Sequence, residues 1–349
     1  MARHWLGEIL RVGRLPLQAM ALAGATRAFT DNPLLGSERL NRHGLHAGRV
    51  ALAQRGAAAR RWFLAGGASA EDRATFARDG ILVKRDWLPP ERFARLQAEL
   101  LGLRAPAREH VQGDALNRLI ALPPEVTRPL PETRAVLASR EWRGLLAYVA
   151  ASRQPPLTFL QSIFAQHRQA PPDPQVALHS DTFFPTMKAW LYLDDVGEAQ
   201  GPFQYVAGSH RATPARQAWE KARSLAWREA DAMSQRGSLR VGLEELAGLG
   251  LGQPVRHAVP ANTLVVADTH GFHARSQGQP GTVRIALWAQ AESTPFLPVP
   301  LPSVRSLLGG REAVLAWAVT DWLAVRGLAH RHWLDRGLLR AGDPPLAEG

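Results

Sequence analysis

Apolar and polar positions divide the chain into a strand-rich middle and helical ends. Six short stretches, residues 81–84, 157–166, 187–194, 203–207, 262–268 and 281–289, read as strands. The alternation is clearest in the last, which sets Val283, Ile285 and Leu287 on one face and Arg284, Ala286 and Trp288 on the other. Helical patterning is expected over residues 3–29, broken near Pro16, and again over 40–64, where Arg49, Arg55, Arg60 and Arg61 supply charge. Ser69 and Asp72 form a capping box that opens a short helix ending at Gly80. Further helices are expected from residue 87 to about 101 and over 132–151, and residues 214–236 read as helix and polar insertion.

Between these elements the pattern fades. Residues 104–131, rich in Pro and Arg, and the glycine-rich stretch 239–253 read as loops, the first lying over a site and the second able to select substrate. Strand 157–166 is expected beside the segment that holds His179 and Asp181. Four prolines in residues 294–302 exclude a central strand. Beyond them, residues 303–339, with Trp317, Trp322 and Trp333, read as a helical region packing with the N-terminal helices.

The chain has 349 residues, enough for one large domain with appendages. Three regions are expected: a basic helical region over residues 1–68, a catalytic β domain over 69–294, and a Pro-rich linker with terminal helices over 295–349. Cysteine is absent, which excludes disulfides, thiolate metal sites and a Cys nucleophile and fits a reducing cytoplasm. Any metal must be held by His, Asp or Glu. The net charge is +11, and +7 of it lies within residues 1–66. No apolar run approaches the ~20 residues that span a bilayer.

Candidate chemistry centres on His179, Asp181, His273 and Arg284. Two imidazoles and one carboxylate suit a facial triad that holds Fe(II) and leaves coordination positions open. A His-x-[Asp/Glu] pair alone arises about once by chance in a chain of this composition. Its surroundings carry the argument, because both ligand regions adjoin strands and Arg284 lies on the strand after His273. His270, three residues before His273, competes for the third position.

The order of Asp79-Gly80-Ile81, His179-x-Asp181, the run from Gly201 to Arg211, Asp268-Thr269-His270-Gly271-Phe272-His273, and Arg284 eleven residues on resembles the phytanoyl-CoA dioxygenase family of Fe(II)/2-oxoglutarate oxygenases, over roughly residues 78–290. The resemblance implies an α+β fold with a mainly β core: a double-stranded β-helix, or jelly-roll barrel, flanked by helices. It implies His179, Asp181 and His273 as catalytic iron ligands and Arg284 as the grip on the distal carboxylate of 2-oxoglutarate. The eleven-residue spacing favours His273 over His270. Trp190 is expected to stand over the co-substrate. At the second position after the last ligand many relatives carry a small residue, whereas this chain has Arg275 followed by Ser276, which leaves the second carboxylate contact open between Ser276 and another group, with Arg275 free to meet an acidic substrate. Lys188 points either to an anion or to solvent, and His210 is expected to be structural.

The implied activity is hydroxylation with consumption of O2 and release of succinate and CO2, aided by ascorbate in vitro. Asp181 favours it, since related halogenases lack the carboxylate. A non-catalytic barrel that binds a small acid or metal is the alternative. Substrate identity does not follow; a small-molecule or lipid-linked substrate is expected, with no nucleic acid, since no aromatic platform interleaves with the arginines. The N-terminal helices read either as a layer packed on the barrel or as a peripheral contact with an anionic membrane, hence a cytoplasmic location or one at a membrane's inner face. Oligomeric state is not legible.

Overall fold

The computed structural model describes residues 15–301 and 304–345. The expected helical segment 3–14 lies outside the described residues. Helix α1 (Leu15–Leu22) carries Pro16 in its first turn. The expected helix at 40–64 is two helices, α2 (Glu38–Arg42) and α3 (Leu45–Leu64), divided at Gly44, whose φ of 87° is left-handed. Helix α4 (Ala70–Asp79) starts where the capping box requires: Ser69 accepts from the Asp72 amide, and Gly80 ends the helix.

Strand β1 (Ile81–Lys84) and helix α5 (Pro90–Gly102) lead into β2 (Ala105–Gln112) and β3 (Ala115–Ala121). That hairpin replaces the loop expected over 104–131. Its polar residues pair across the strands: Glu109 stands opposite Arg118, and the buried pair closes at 2.7 Å. Charges that satisfy one another inside a sheet look like a loop to a hydropathy pattern. Helices α6 (Pro124–Thr127), α7 (Pro131–Ala138) and α8 (Arg140–Ala150) follow, the last two separated at Ser139, which caps α8.

Strands β4 (Leu157–Phe164), β5 (Thr186–Tyr192) and β6 (Phe203–Tyr205) come next, then α9 (Pro214–Leu225), α10 (Ala232–Gln235) and α11 (Glu245–Gly248). Strands β7 (Val255–His257), β8 (Leu264–Asp268), β9 (His273–Arg275) and β10 (Val283–Glu292) complete the middle of the chain. It ends with helix α12 (Glu312–Val325) and strand β11 (Leu334–Leu339).

Two antiparallel sheets face each other. The major sheet runs β1-β8-β5-β10-β4-β3-β2-β11, and the minor one runs β7-β6-β9. Single bridges from His179 to His273 and to Arg240 extend the minor sheet. This is the double-stranded β-helix with a mainly β core and flanking helices. Strand β4 flanks β10 and β3, not the segment holding His179.

Period two decides which side of the major sheet each residue serves. Ile285, Leu287 and Ala289 pack outward with Leu96 and Leu100 of α5 and Trp142, Leu145 and Val149 of α8. Ala286 and Trp288 point inward with Phe159, Trp190, Tyr192 and Phe203. The faces assigned to this strand from its alternation are the faces observed. The stretch 239–253 is no loose excursion, because Leu239, Val241, Leu246 and Leu249 are buried with Phe29, Leu178, Trp219 and Phe272.

The C-terminal region departs most from expectation. Residues 334–339 form a strand that pairs with β2, and Trp317 and Trp333 pack against the barrel's inner cluster instead of on the N-terminal helices.

Candidate metal centre

Each candidate ligand is positioned by backbone pairing. His179 exchanges both backbone hydrogen bonds with His273, at 3.0 and 2.9 Å, so the two imidazoles leave adjacent chains side by side. The Ser180 amide donates to Leu239 O and the Asp181 amide to Thr269 O. The Ser180 hydroxyl, turned away from the site, donates to Thr182 O and His270 O, locking the turn between the first two candidate ligands.

The side chains then converge. His179 Nε2 and His273 Nε2 each lie 3.6 Å from Asp181 Oδ1, and the three prospective ligand atoms lie within 4.8 Å of one another. Both Nδ1 atoms face carbonyl oxygens two residues back, Ala177 O at 2.8 Å and Gly271 O at 2.9 Å. That pairing places the ring proton on Nδ1 and turns the Nε2 lone pairs inward. Both Nε2 atoms are buried without a hydrogen-bond partner. Buried polar atoms left unpaired on one small cavity are what a metal would satisfy.

Electrostatics agree with that arrangement. Burial pushes the Asp181 carboxyl up, but Lys188 and the two imidazoles outweigh it and hold the group well below the usual carboxylate range. Burial, and then the neighbouring His179, lower His273 to about 3, so it is neutral and free to donate its lone pair at ordinary pH. Lys188 Nζ lies 2.7 Å from Asp181 Oδ2, so of the two orientations left open for this lysine it takes the anion. Asp181 thereby offers one oxygen to the imidazoles and gives the other to the ammonium.

His270 is not part of the cluster. Its Nδ1 meets Thr182 O at 2.8 Å, and the ring faces Arg216, Glu220 and His46. His210 is buried against Phe76, and its carbonyl accepts from Gln54, consistent with a structural part.

Arg284 lies on the inward face of β10. It is 6% exposed, it donates to Gly201 O, and it forms no ion pair among the described residues. Gly201 has φ 65°, and a Cβ there would collide with Ser276 O, so only glycine brings this carbonyl to the guanidinium. Nearby, Tyr192 Oη and Ser276 Oγ are buried without partners. A buried guanidinium with no carboxylate, beside two unpaired hydroxyls, forms a pocket for an anion.

Arg275 is not available to an acidic substrate. Its guanidinium is held by Asp173 at 2.6 Å and Asn117 at 3.1 Å, and burial lowers it to about 10. Trp190 lies on the same inward face as Lys188 and Tyr192. Its ring is 4.6 Å from Phe203, which is 5.7 Å from His273, so aromatic rings wall one side of the site. Sequence reasoning missed Tyr192, although its place two residues after Trp190 on an alternating strand puts it on the same inward face.

The sequence profile of the phytanoyl-CoA dioxygenase family matches residues 76–244. This chain is an Fe(II)- and 2-oxoglutarate-dependent enzyme by class. Over that segment, just under half of its length, it is similar to the phytanoyl-CoA dioxygenase family. The match stops short of His273 and Arg284, which the fold brings to the site. Among solved structures, the chain is similar to the non-heme alpha ketoglutarate dependent epimerase SnoN from nogalamycin biosynthesis, with 17% identity over 66% of this chain and 94% of that one, at a TM-score of 0.43. HygX from Streptomyces hygroscopicus, solved with iron bound, shows 15% identity over 64% and 86% of the two chains, at 0.37. EctD from S. alaskensis, solved with 2-oxoglutarate and 5-hydroxyectoine, shows 16% identity over 68% and 82%, at 0.38. No curated protein matches the sequence. No helix among the described residues is long and apolar enough to cross a membrane.

Proposed function

We propose that this enzyme hydroxylates a small-molecule or lipid-linked substrate, releasing succinate and CO2, with His179, Asp181 and His273 holding Fe(II) and Arg284 holding 2-oxoglutarate. One observation carries the reading: two buried, unpartnered Nε2 atoms and one carboxylate oxygen converge on a single point, with a buried arginine that meets no carboxylate among the described residues in the same barrel. Bound iron would let O2 act as the oxidant for an unactivated C–H bond, with 2-oxoglutarate oxidised alongside to succinate and CO2, a reaction beyond the reach of protein side chains.

The chain's own residues supply orientation and dryness. The carbonyls of Ala177 and Gly271 fix both imidazole tautomers, and Lys188 restrains Asp181 to one offered oxygen. Gly201 O aims the Arg284 fork, while Tyr192 Oη and Ser276 Oγ stand ready to donate to a carboxylate. The indole of Trp190 and the ring of Phe203 exclude water from one side, which strengthens each charged contact.

The test compares wild type with Asp181→Ala and Arg284→Ala in anaerobic titrations of Fe(II) and 2-oxoglutarate, followed by succinate assay in air. Wild type should develop the metal-to-ligand charge-transfer band and form succinate, and Asp181→Ala should lose both. Arg284→Ala should weaken 2-oxoglutarate about 100-fold, the cost of one charge-assisted buried contact. A wild-type band without turnover under any condition would favour the non-catalytic barrel.

A further inference from the structure

Helix α12 is apolar on two sides. Its inner side, through Ala313 and Trp317, packs on the barrel's inward cluster, with the Trp317 ring 5.9 Å from Phe159 and Phe159 in turn 5.4 Å from Trp288. Its outer side carries Leu315, Val319, Trp322 and Val325 at 46, 56, 54 and 74% exposure, and none of its 14 residues is buried. Single exposed apolar residues are ordinary on a protein surface, but a continuous row along one helix marks a contact surface.

The position of the helix ties that surface to the site. Glu312, at its start, lines a cavity of about 120 Å³ with Leu157, Gln290 and Glu292. A neighbouring cavity of about 200 Å³ shares Gln290 and Glu292 and reaches Asp181 and Lys188. The start of the helix therefore lies beside the first of two neighbouring cavities, the second of which reaches the candidate ligand Asp181.

Charge selects the partner. The two carboxylates of the helix are turned off its outer face: Glu312 lines the inner cavity, and Asp321 is drawn to Arg108 at 2.6 Å. Exposed arginines stand at both ends. Arg311, paired with Glu125, remains half-exposed, and Arg326 lies over the Trp322 ring at 3.8 Å. A second copy meeting this face would bring like charges together on a chain of net charge +11, whereas anionic headgroups would neutralise them. An indole with an arginine over it is suited to a boundary that is apolar on one side and charged on the other.

We propose that α12 seats its outer face on an anionic lipid surface and that the substrate is a lipid-linked molecule entering the barrel beside it. The lipid-linked part rests on the oxygenase reading; the docking surface does not.

The test is flotation of the full-length protein with vesicles of phosphatidylcholine alone and of phosphatidylcholine with phosphatidylglycerol in equal parts. Binding is expected only to the anionic vesicles and should weaken with salt. Val319→Asp and Trp322→Asp should each reduce it at least ~10-fold, since each places a charge where apolar surface enters the interface. Both residues lie on the outer face, so the Fe(II)/2-oxoglutarate charge-transfer band should be unchanged in both variants. The proposal is overturned if wild type ignores anionic vesicles, if both variants bind like wild type, or if the protein is a dimer that Val319→Asp dissociates. A protein that binds vesicles but shows no charge-transfer band would retain the docking surface and lose the oxygenase reading.

Discussion

Helices α3 and α12 both flank the barrel, and they spend their residues in opposite ways. Helix α3 is rich in arginine and turns Arg49, Arg60 and Arg61 inward, leaving Arg55 exposed. Arg49 donates to the carbonyls of Leu22, Gly24 and Thr26, and Arg60 to Ala151 O, Leu297 O and Ser293 Oγ. Arg61 reaches Tyr148 O, Val149 O and the buried Asp268. Helix α12 is rich in leucine, valine and tryptophan and turns much of that surface outward. Composition alone would reverse the two, giving charge to solvent and apolar groups to the core. Arg49 and Arg60 act as buried clamps on loop carbonyls, since a guanidinium brings five donors to acceptors the loops cannot satisfy themselves.

The largest expected effect tests the clamp. Arg60→Ala removes the donor from three acceptors in a region where water does not replace it. It should cost about 3 kcal/mol or more of unfolding free energy, because unsatisfied buried acceptors cost ~1–3 kcal/mol each. Urea unfolding of the two proteins measures it. A loss under ~1 kcal/mol would mean that the arginine is solvated in solution and that α3 presents its charge outward.

Acid should separate the two helices next. Burial lowers His210 to about 3 and His270 to about 4, with nearby Arg61 adding to the first and Arg216 to the second. Both lie beneath the N-terminal layer, His210 accepting from Gln54 through its carbonyl and His270 facing His46. In the unfolded chain each imidazole titrates near 6.5, so between about pH 6.5 and 4 the unfolded state binds more protons than the folded one. Stability therefore falls as pH falls across that window. Each imidazole contributes up to ~1.4 kcal/mol per pH unit, for a combined loss of roughly 4 kcal/mol at pH 5 relative to pH 7. Hydrogen exchange at pH 5 should quicken in α3 and leave α12 nearly unchanged. Equal acceleration in both would show that the helices do not open independently.

The same contrast marks how far the sequence could be read. Strand alternation placed Arg284 on the inward face with Trp288, and the capping box placed the start of α4 to the residue, because both signals are local. The two imidazoles and Asp181 were identifiable from motif order, and they converge as that order implied. What failed was non-local. The β2–β3 hairpin was hidden because Glu109 and Arg118 look like loop residues until they are set opposite each other. The partner of Arg275 was hidden because Asp173 lies 102 residues away along the chain. Strand β11 was read as helix because its pairing with β2 closes a span no local pattern encodes.

The smallest expected effect is on α12 and completes the comparison. Val319 is 56% exposed, so replacing it by Asp removes little packing and buries no charge. In the absence of lipid, Val319→Asp should change unfolding free energy by no more than ~0.5 kcal/mol, as surface substitutions do. Arg60→Ala and Val319→Asp thus differ several-fold although both residues sit on flanking helices, and the difference measures which helix belongs to the folding core. A loss above ~1 kcal/mol in Val319→Asp would place its side chain in a buried contact, for which self-association at that face is the available source.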